Sequence, residues 1–109
     1  MATFDDFLKL DIRAGQIIEA KEFPEARKPA YQLKIDLGEE LGVKQSSAQI
    51  TDLYSIDELI GKQVLVVANF PPMIIARFKS EVLVLGVYSE KGVVLLKPDQ
   101  PVKNGDKVG

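Results

Sequence analysis

Between Asn69 and Glu81 the chain carries an amide, a hydroxyl and a carboxylate (Asn69, Ser80, Glu81), two cations (Arg77, Lys79), and the apolar side chains of Phe70, Met73, Ile74, Ile75 and Phe78. The chemistry open to such a set is non-covalent binding: apolar contact ringed by hydrogen-bonding and charged groups. The flanks Val64–Ala68 and Val82–Leu85 are continuous apolar runs, which predicts two buried strands. Pro71 and Pro72 between them remove two backbone donors and stop the sheet. Connections run over the surface. Met73, Ile74, Ile75 and Phe78 are therefore expected to be exposed unless another subunit, a peptide or a nucleic acid covers them.

Covalent catalysis has little to work with. The chain of 109 residues contains neither histidine nor cysteine. That excludes the usual zinc sites, Ser-His and Cys-His nucleophiles, disulfides and thiol chemistry. The acidic pairs Asp5-Asp6 and Glu39-Glu40 are neighbours in sequence, one near a terminus and one in a turn, and read as solvated charges. Ser46 and Ser47 follow Lys44, but no Ser-x-x-Lys spacing occurs. The expectation is a protein that is not an enzyme and needs no cofactor or metal.

Length and composition fit one soluble domain, able to bury about two-thirds of its unfolded surface. Hydrophobic residues make up 46% and charged residues 28%, ordinary for a globular fold. No apolar run approaches a membrane span, and the acidic start Met1-Ala2-Thr3-Phe4-Asp5-Asp6 lacks the positive leader of a signal peptide, which predicts a cytoplasmic location. A net charge of −2 argues against generic, charge-driven nucleic-acid binding while leaving a local basic patch open.

The elements that must position these groups follow from periodicity. Thr3–Leu10 reads as a short helix with Thr3 as N-cap, Asp5 and Asp6 at its positive end, and Phe4, Phe7 and Leu8 on one face. That face could pack over an open end of the domain or against a second subunit. Asp11–Phe23 reads as a long strand, Ile12, Ala14, Ile18 and Ala20 on one side and Arg13, Glu19 and Lys21 on the other, with Gly15 marking a bulge or bend. Phe23–Pro29 is a loop by its two prolines. Tyr31, Leu33, Ile35 and Leu37 alternate with polar residues as a half-buried strand, Gly38 to Gly42 turns the chain, and Val43–Ile50 is a further strand with a polar centre. Ser55 with Glu58 forms a capping box for a helix ending at Gly61. Val93–Leu96 is the last clear strand, and Asn104-Gly105 a late turn. This order, with one short helix between the third and fourth strands, predicts an all-β, five-stranded OB-fold barrel with short helices and a C-terminal extension. The expected division of the single domain 1–109 is helix 1–10, barrel 11–88 and extension 89–109.

Several segments resemble a known family. Leu10-Asp11-Ile12-Arg13-Ala14-Gly15, Pro24-Glu25-Ala26, and Asn69-x-x-Pro72 followed by Lys79-Ser80-Glu81 resemble motifs of the tRNA-binding barrel domain, found at the end of methionyl-tRNA synthetases and in stand-alone tRNA-binding proteins. Phe23–Arg27, Lys44–Thr51, Asn69–Pro72 and Phe78–Gly86 are more similar still to the CsaA branch, stand-alone homodimeric chaperones associated with protein export. The likeness covers essentially the whole chain. In the tRNA-binding relatives the loop after the asparagine and proline is typically basic; here Met73, Ile74 and Ala76 stand there, Arg77 takes the place of a family glycine, and Val82-Leu83 replaces the usual Gly-Met. Losing phosphate contacts weakens RNA binding, while methionine and isoleucine make an adaptable apolar surface.

The resemblance implies two functions on one face. As a homodimeric chaperone of unfolded or export-bound polypeptides, with the export translocase as a further partner, the chain would use Phe70, Met73, Ile74, Ile75 and Phe78 for apolar contact. Arg77, Lys79 and the Ser46/Ser47/Gln49 row would then bond backbone or charged groups, beside Pro72. As a tRNA-binding protein, it would use Asn69, Ser80 and Glu81 at a base edge and Arg27, Lys28, Lys34, Lys44, Arg77 and Lys79 on phosphates. For several of these groups a structural role is also open: Asn69 and Ser80 as ties between loop and barrel rim, Met73–Ile75 as dimer interface, Lys34 and Lys44 as ordinary outward strand residues.

Overall fold

The computed structural model describes residues 1–109. In chain order the elements are α1 (Phe4–Leu8), β1 (Ile12–Glu22), β2 (Tyr31–Asp36), α2 (Gly38–Leu41), β3 (Val43–Ala48), α3 (Ile56–Leu59), β4 (Gln63–Val67), β5 (Met73–Ile75), β6 (Phe78–Ser80), β7 (Leu83–Val84), β8 (Gly86–Ser89) and β9 (Gly92–Leu95). Five of the strands form one antiparallel sheet in the order β3-β2-β1-β4-β7. It curls until β3 bonds to the segment between β6 and β7, which makes a nearly closed, all-β OB-fold barrel.

Strand β1 is shared between two partners, and this shapes the barrel. Its first half, Ile12–Gln16, pairs with β4, and its second half, Gln16–Glu22, pairs with β2. The strand must bend where it changes partner. A Cβ on Gly15 would stand 2.6 Å from both Ile35 Cγ2 and Leu37 Cδ2, so only glycine lets β1 approach β2 this closely at the bend. The bulge itself falls later, between Ile17 and Glu19. It shifts the side-chain alternation by one residue. Ile17 therefore lies in the core and Ile18 faces out, the reverse of the faces expected from a regular strand.

Arg13 also departs from that expectation. It is 4% exposed, held by two carboxylates and a carbonyl. Its Nε and Nη2 donate to Asp11 Oδ1 and Oδ2 at 2.6 and 3.2 Å, and its Nη1 donates to Glu40 Oε2 and Gly105 O, each at 3.2 Å. The hydrogen bonds it donates to Asp11 and then to Glu40 raise the guanidinium pKa further above its already high value, outweighing burial. The bond to Gly105 fastens the C-terminal segment. There Gly105 N–H donates to Ala14 O, Ala14 N–H to Asp106 O and Val108 N–H to Ile12 O, so residues 105–108 line the edge of β1 that β4 leaves open. The turn at Asn104-Gly105 makes this return possible.

The core contains Ile17, Leu33, Ile35, Leu37, Val64 and Val66 from the sheet and Leu59 from α3. The alternation Tyr31, Leu33, Ile35, Leu37 is inward as expected. Burial raises the Tyr31 phenol pKa, and its hydroxyl donates to Tyr54 O at 2.7 Å. The protonated phenol therefore stabilises the fold below its unfolded value near 10, and that contribution is lost as pH rises through the higher folded value. Both capped helices form: Thr3 N–H donates to Asp6 Oδ2 at 3.0 Å and Ser55 N–H to Glu58 Oε1 at 2.7 Å. Bonds from Thr3 hold the Asp6 carboxyl below its ordinary value, so this cap acts above the usual carboxylate pKa and is lost as pH falls. No helix is long and apolar enough to cross a membrane.

Two expectations need correction near the opening stretch. Residues 73–80 form a two-stranded hairpin, β5 paired with β6, and not an unstructured connection. Of the run Val82–Leu85, Val82 is buried but Leu83 is 47% exposed, because only two residues, Leu83 and Val84, pair with β4. Elsewhere Gly38–Leu41 forms a helical turn, and the third strand ends at Ala48.

Candidate functional site

The barrel seam fixes the polar groups of the predicted face. Glu81 N–H donates to Gln45 O at 2.8 Å, and Gln45 N–H donates to Glu81 Oε1 at 3.2 Å. Ser47 N–H donates to Ser80 Oγ at 3.0 Å, and Ser46 Oγ donates to Val82 O at 2.7 Å. Ser46 is fully buried, so its hydroxyl closes the barrel and offers nothing to a ligand. Asn69 ties the start of β1 to the end of β4: its Oδ1 accepts from Asp11 N–H at 2.9 Å and its Nδ2 donates to Lys9 O at 2.8 Å. Asn69, Ser80 and Glu81 all have intrachain partners that build the seam and rim.

The remaining predicted residues present themselves differently. Met73 and Ile74 are each 65% exposed, Phe70 and Pro72 are exposed, and Ile75 is half-buried. Phe78 is half-buried because its ring packs edge-on against Phe23 with centroids 5.4 Å apart. That contact docks the hairpin against the loop between β1 and β2. An open cleft of about 500 Å³ lies between them, walled by Glu25 to Lys28 of the loop, Ser47 of β3 with Gln49 just beyond the strand, and Ile74 to Ala76 of the hairpin.

Charge is distributed to suit a ligand at this cleft. Lys34 pairs with Glu19 at 3.5 Å and Lys44 with Glu81 at 4.0 Å. Arg27, Lys28, Arg77 and Lys79 make no ion pair within the chain and are exposed. The arrangement sets Ile74 and Ile75 opposite Arg27 and Lys28, with Glu25 on the same wall and Ser47 and Gln49 at the floor. It can bind an apolar or anionic polymer, and it contains no nucleophile–base pair. The structure thus brings Arg27 and Lys28 to the same cleft as Ser47, Gln49 and Ile74, while Ser46 lies in the seam and Asn69 lines a different depression beside α1. The two prolines that bound the basic loop hint at a rigid cation-bearing segment, but no local signal links Phe23 to Phe78.

The hairpin turn is strained. Ala76 and Arg77 have φ of +45° and +68°, the backbone of a type I′ turn, which favours Asn-Gly. A non-glycine residue in this region costs about 1–2 kcal/mol. Ala76→Asn with Arg77→Gly is expected to raise the melting temperature by about 4–8 °C, the shift of a gain near 1 kcal/mol in a domain of this size. A thermal melt showing a lower midpoint for the double variant would contradict this reading of the turn.

The family model of the Putative tRNA binding domain matches residues 12–107. Among solved structures, the CsaA chaperone protein of Picrophilus torridus is 55% identical with a TM-score of 0.96, covering 100% of both chains. The chaperone CsaA of Bacillus anthracis is 56% identical with a TM-score of 0.93, covering 100% of this chain and 99% of that one. A methionine–tRNA ligase of Pyrococcus horikoshii is 42% identical over 105 residues. Those residues are 96% of this chain and 14% of the ligase, so the chain spans only a small part of the curated relatives it matches.

Proposed function

The chain belongs to the tRNA-binding-domain family, and from that premise we propose that it is a non-catalytic chaperone, a homodimer that binds unfolded or export-bound polypeptides at the hairpin and cleft. The observation that carries this reading is the pair Met73 and Ile74, each 65% exposed on a docked hairpin. As neighbours on strand β5 they project to opposite faces of the hairpin, Ile74 into the cleft wall, so apolar surface is open on both sides of an ordered element that another chain can cover. The likeness to two chaperones over their whole length supports it. Phe70, Phe78 and the Ser47/Gln49 row complete the contact, with Arg77 and Lys79 meeting acidic groups. For dimerisation the reading uses a separate surface: Phe4 and Leu8 are exposed on α1 beside Leu10 and Val108. It puts the chain in the cytoplasm, with the export translocase as a partner.

A second reading, binding of structured RNA, is favoured by four cations that lack ion-pair partners, Arg27 and Lys28 in the cleft wall and Arg77 and Lys79 on the adjoining hairpin. One pair of assays separates the two. Added chain should hold down the light scattering of a thermally denatured client at near-equimolar ratio. Unchanged scattering at large excess would sink the chaperone reading. Retention of tRNA that falls steeply with salt, and falls again for Arg77→Glu with Lys79→Glu, supports RNA binding; no retention at low salt eliminates it.

A further inference from the structure

We infer that the cleft takes polypeptide as an added strand: an extended segment of alternating apolar and acidic side chains pairs its backbone with the free edge at Ser47 of β3 and at Gln49 just past the strand end. The inference rests on the chaperone reading and specifies how that site recognises its client. In an antiparallel ladder, alternate residues turn both backbone groups away from a given neighbour. Ser47 pairs with Gln32 of β2 yet donates its N–H to Ser80 on the other side, as Gln45 does to Glu81. Residues 45 and 47 therefore direct N–H and C=O off the sheet edge, and Gln49 follows two residues on, just past the strand end.

Along this edge Gln45 is fully bonded to the seam, and Ser47 N–H has the Ser80 hydroxyl. Beyond that point the closing bonds stop. The Ser47 C=O and the Gln49 N–H and C=O have no partner in the chain, although Ser47 and Gln49 line the cleft. An acceptor followed by a donor at this spacing is the pattern that an incoming strand completes. An extended peptide offers N–H and C=O at the regular spacing of this edge, whereas phosphodiester linkages present acceptors alone, so the edge matches peptide better than a nucleic-acid backbone.

The walls set the side chains. Residues of an added strand point alternately to opposite sides. One set meets Ile74 and Ile75. The other meets Arg27 and Lys28, whose charge has no ion-pair partner in the chain, so acidic side chains fit there.

The test uses the full chain and a short labelled peptide of alternating isoleucine and aspartate, read by fluorescence anisotropy. N-methylation of one alternating set of peptide amides is expected to weaken binding about tenfold or more, and of the intervening set about twofold or less. Gln49 is exposed and outside the ladder, so Gln49→Pro removes the donor and leaves the melting temperature near that of the parent. Gln49→Pro should weaken the peptide about tenfold, while Gln49→Ala, which keeps the N–H, should not. Equal affinities for the two methylated sets, equal affinities for the two Gln49 variants, or no peptide binding would overturn the inference. So would a ribo-oligonucleotide that binds this cleft and excludes the peptide. If wild type and Gln49→Pro suppress client scattering equally, the added strand is refuted and the chaperone reading stands; if neither suppresses it, both fall.

Discussion

Replacing Met73 and Ile74 together by aspartate is expected to abolish suppression of client aggregation while leaving the fold intact. Both side chains are largely solvated, so the native state loses little by their removal. A client that buries them gains roughly 1.5–3 kcal/mol for each, and losing both amounts to a weakening of about two orders of magnitude or more. Buried carboxylates would add a desolvation penalty. The companion change to serine at both positions sharpens the result, because it removes the apolar contact without placing negative charge beside Arg77 and Lys79. The serine variant should lose client suppression and keep any salt-sensitive tRNA retention. Light scattering at equal molar ratios, with thermal melts to verify the fold, makes the measurement. A double variant as active as the parent would show that the ledge is not the contact surface.

The second large effect is on stability. Arg13→Ala is expected to cost about 2–3 kcal/mol, which lowers the melting temperature by roughly 10–20 °C. The guanidinium is buried and makes bidentate bonds to Asp11 and further bonds to Glu40 and Gly105 O. Removing it leaves a cavity and an unsatisfied tie. The cost stays below that of a wholly buried pair because Glu40 is 73% exposed and regains water. Arg13→Lys should fall between the two, since an ammonium cannot reproduce the planar fork. Hydrogen exchange distinguishes this from a general loss: the amides of Gly105 and Val108, which donate to β1, should exchange first. A melting point within a few degrees of the parent would refute the role assigned to Arg13.

Much of the fold was legible because short-range patterns are strong where one face is buried. Tyr31, Leu33, Ile35 and Leu37 alternate without interruption, and the residues Thr3 with Asp6 and Ser55 with Glu58 bracket their helices. The five-stranded barrel follows from that order. What escaped depends on residues distant in sequence. Arg13 looks like an outward strand cation until Glu40 and Gly105 are brought to it. Gly15 marks the bend where β1 changes partner, as expected, whereas the bulge after Ile17 leaves no compositional mark. The β5–β6 hairpin was hidden because Ala76-Arg77 is not a dipeptide that ordinarily turns a chain.

At the candidate site the apolar ledge was readable, since Met73 and Ile74 follow two prolines between strands. The division among the polar residues was not. A serine or asparagine that bonds a backbone group reads the same in sequence as one that faces a ligand. Only the placement of Val82 O beside Ser46, and of Asp11 N–H beside Asn69, reveals which hydroxyl and which amide already have partners.

The return of residues 105–108 onto β1 bears on how the chain is made. Synthesis is vectorial, and β1 leaves the ribosome before β4 and residues 105–108, with which it pairs. Its first half finds β4 only after some fifty further residues have emerged, and its other edge waits for a segment more than ninety residues downstream. Until then a long strand stands with unpaired donors and acceptors, the condition under which nascent chains pair edge to edge. On the chaperone reading proposed above, the chain passes, during its own synthesis, through a state that a binder of exposed polypeptide would recognise.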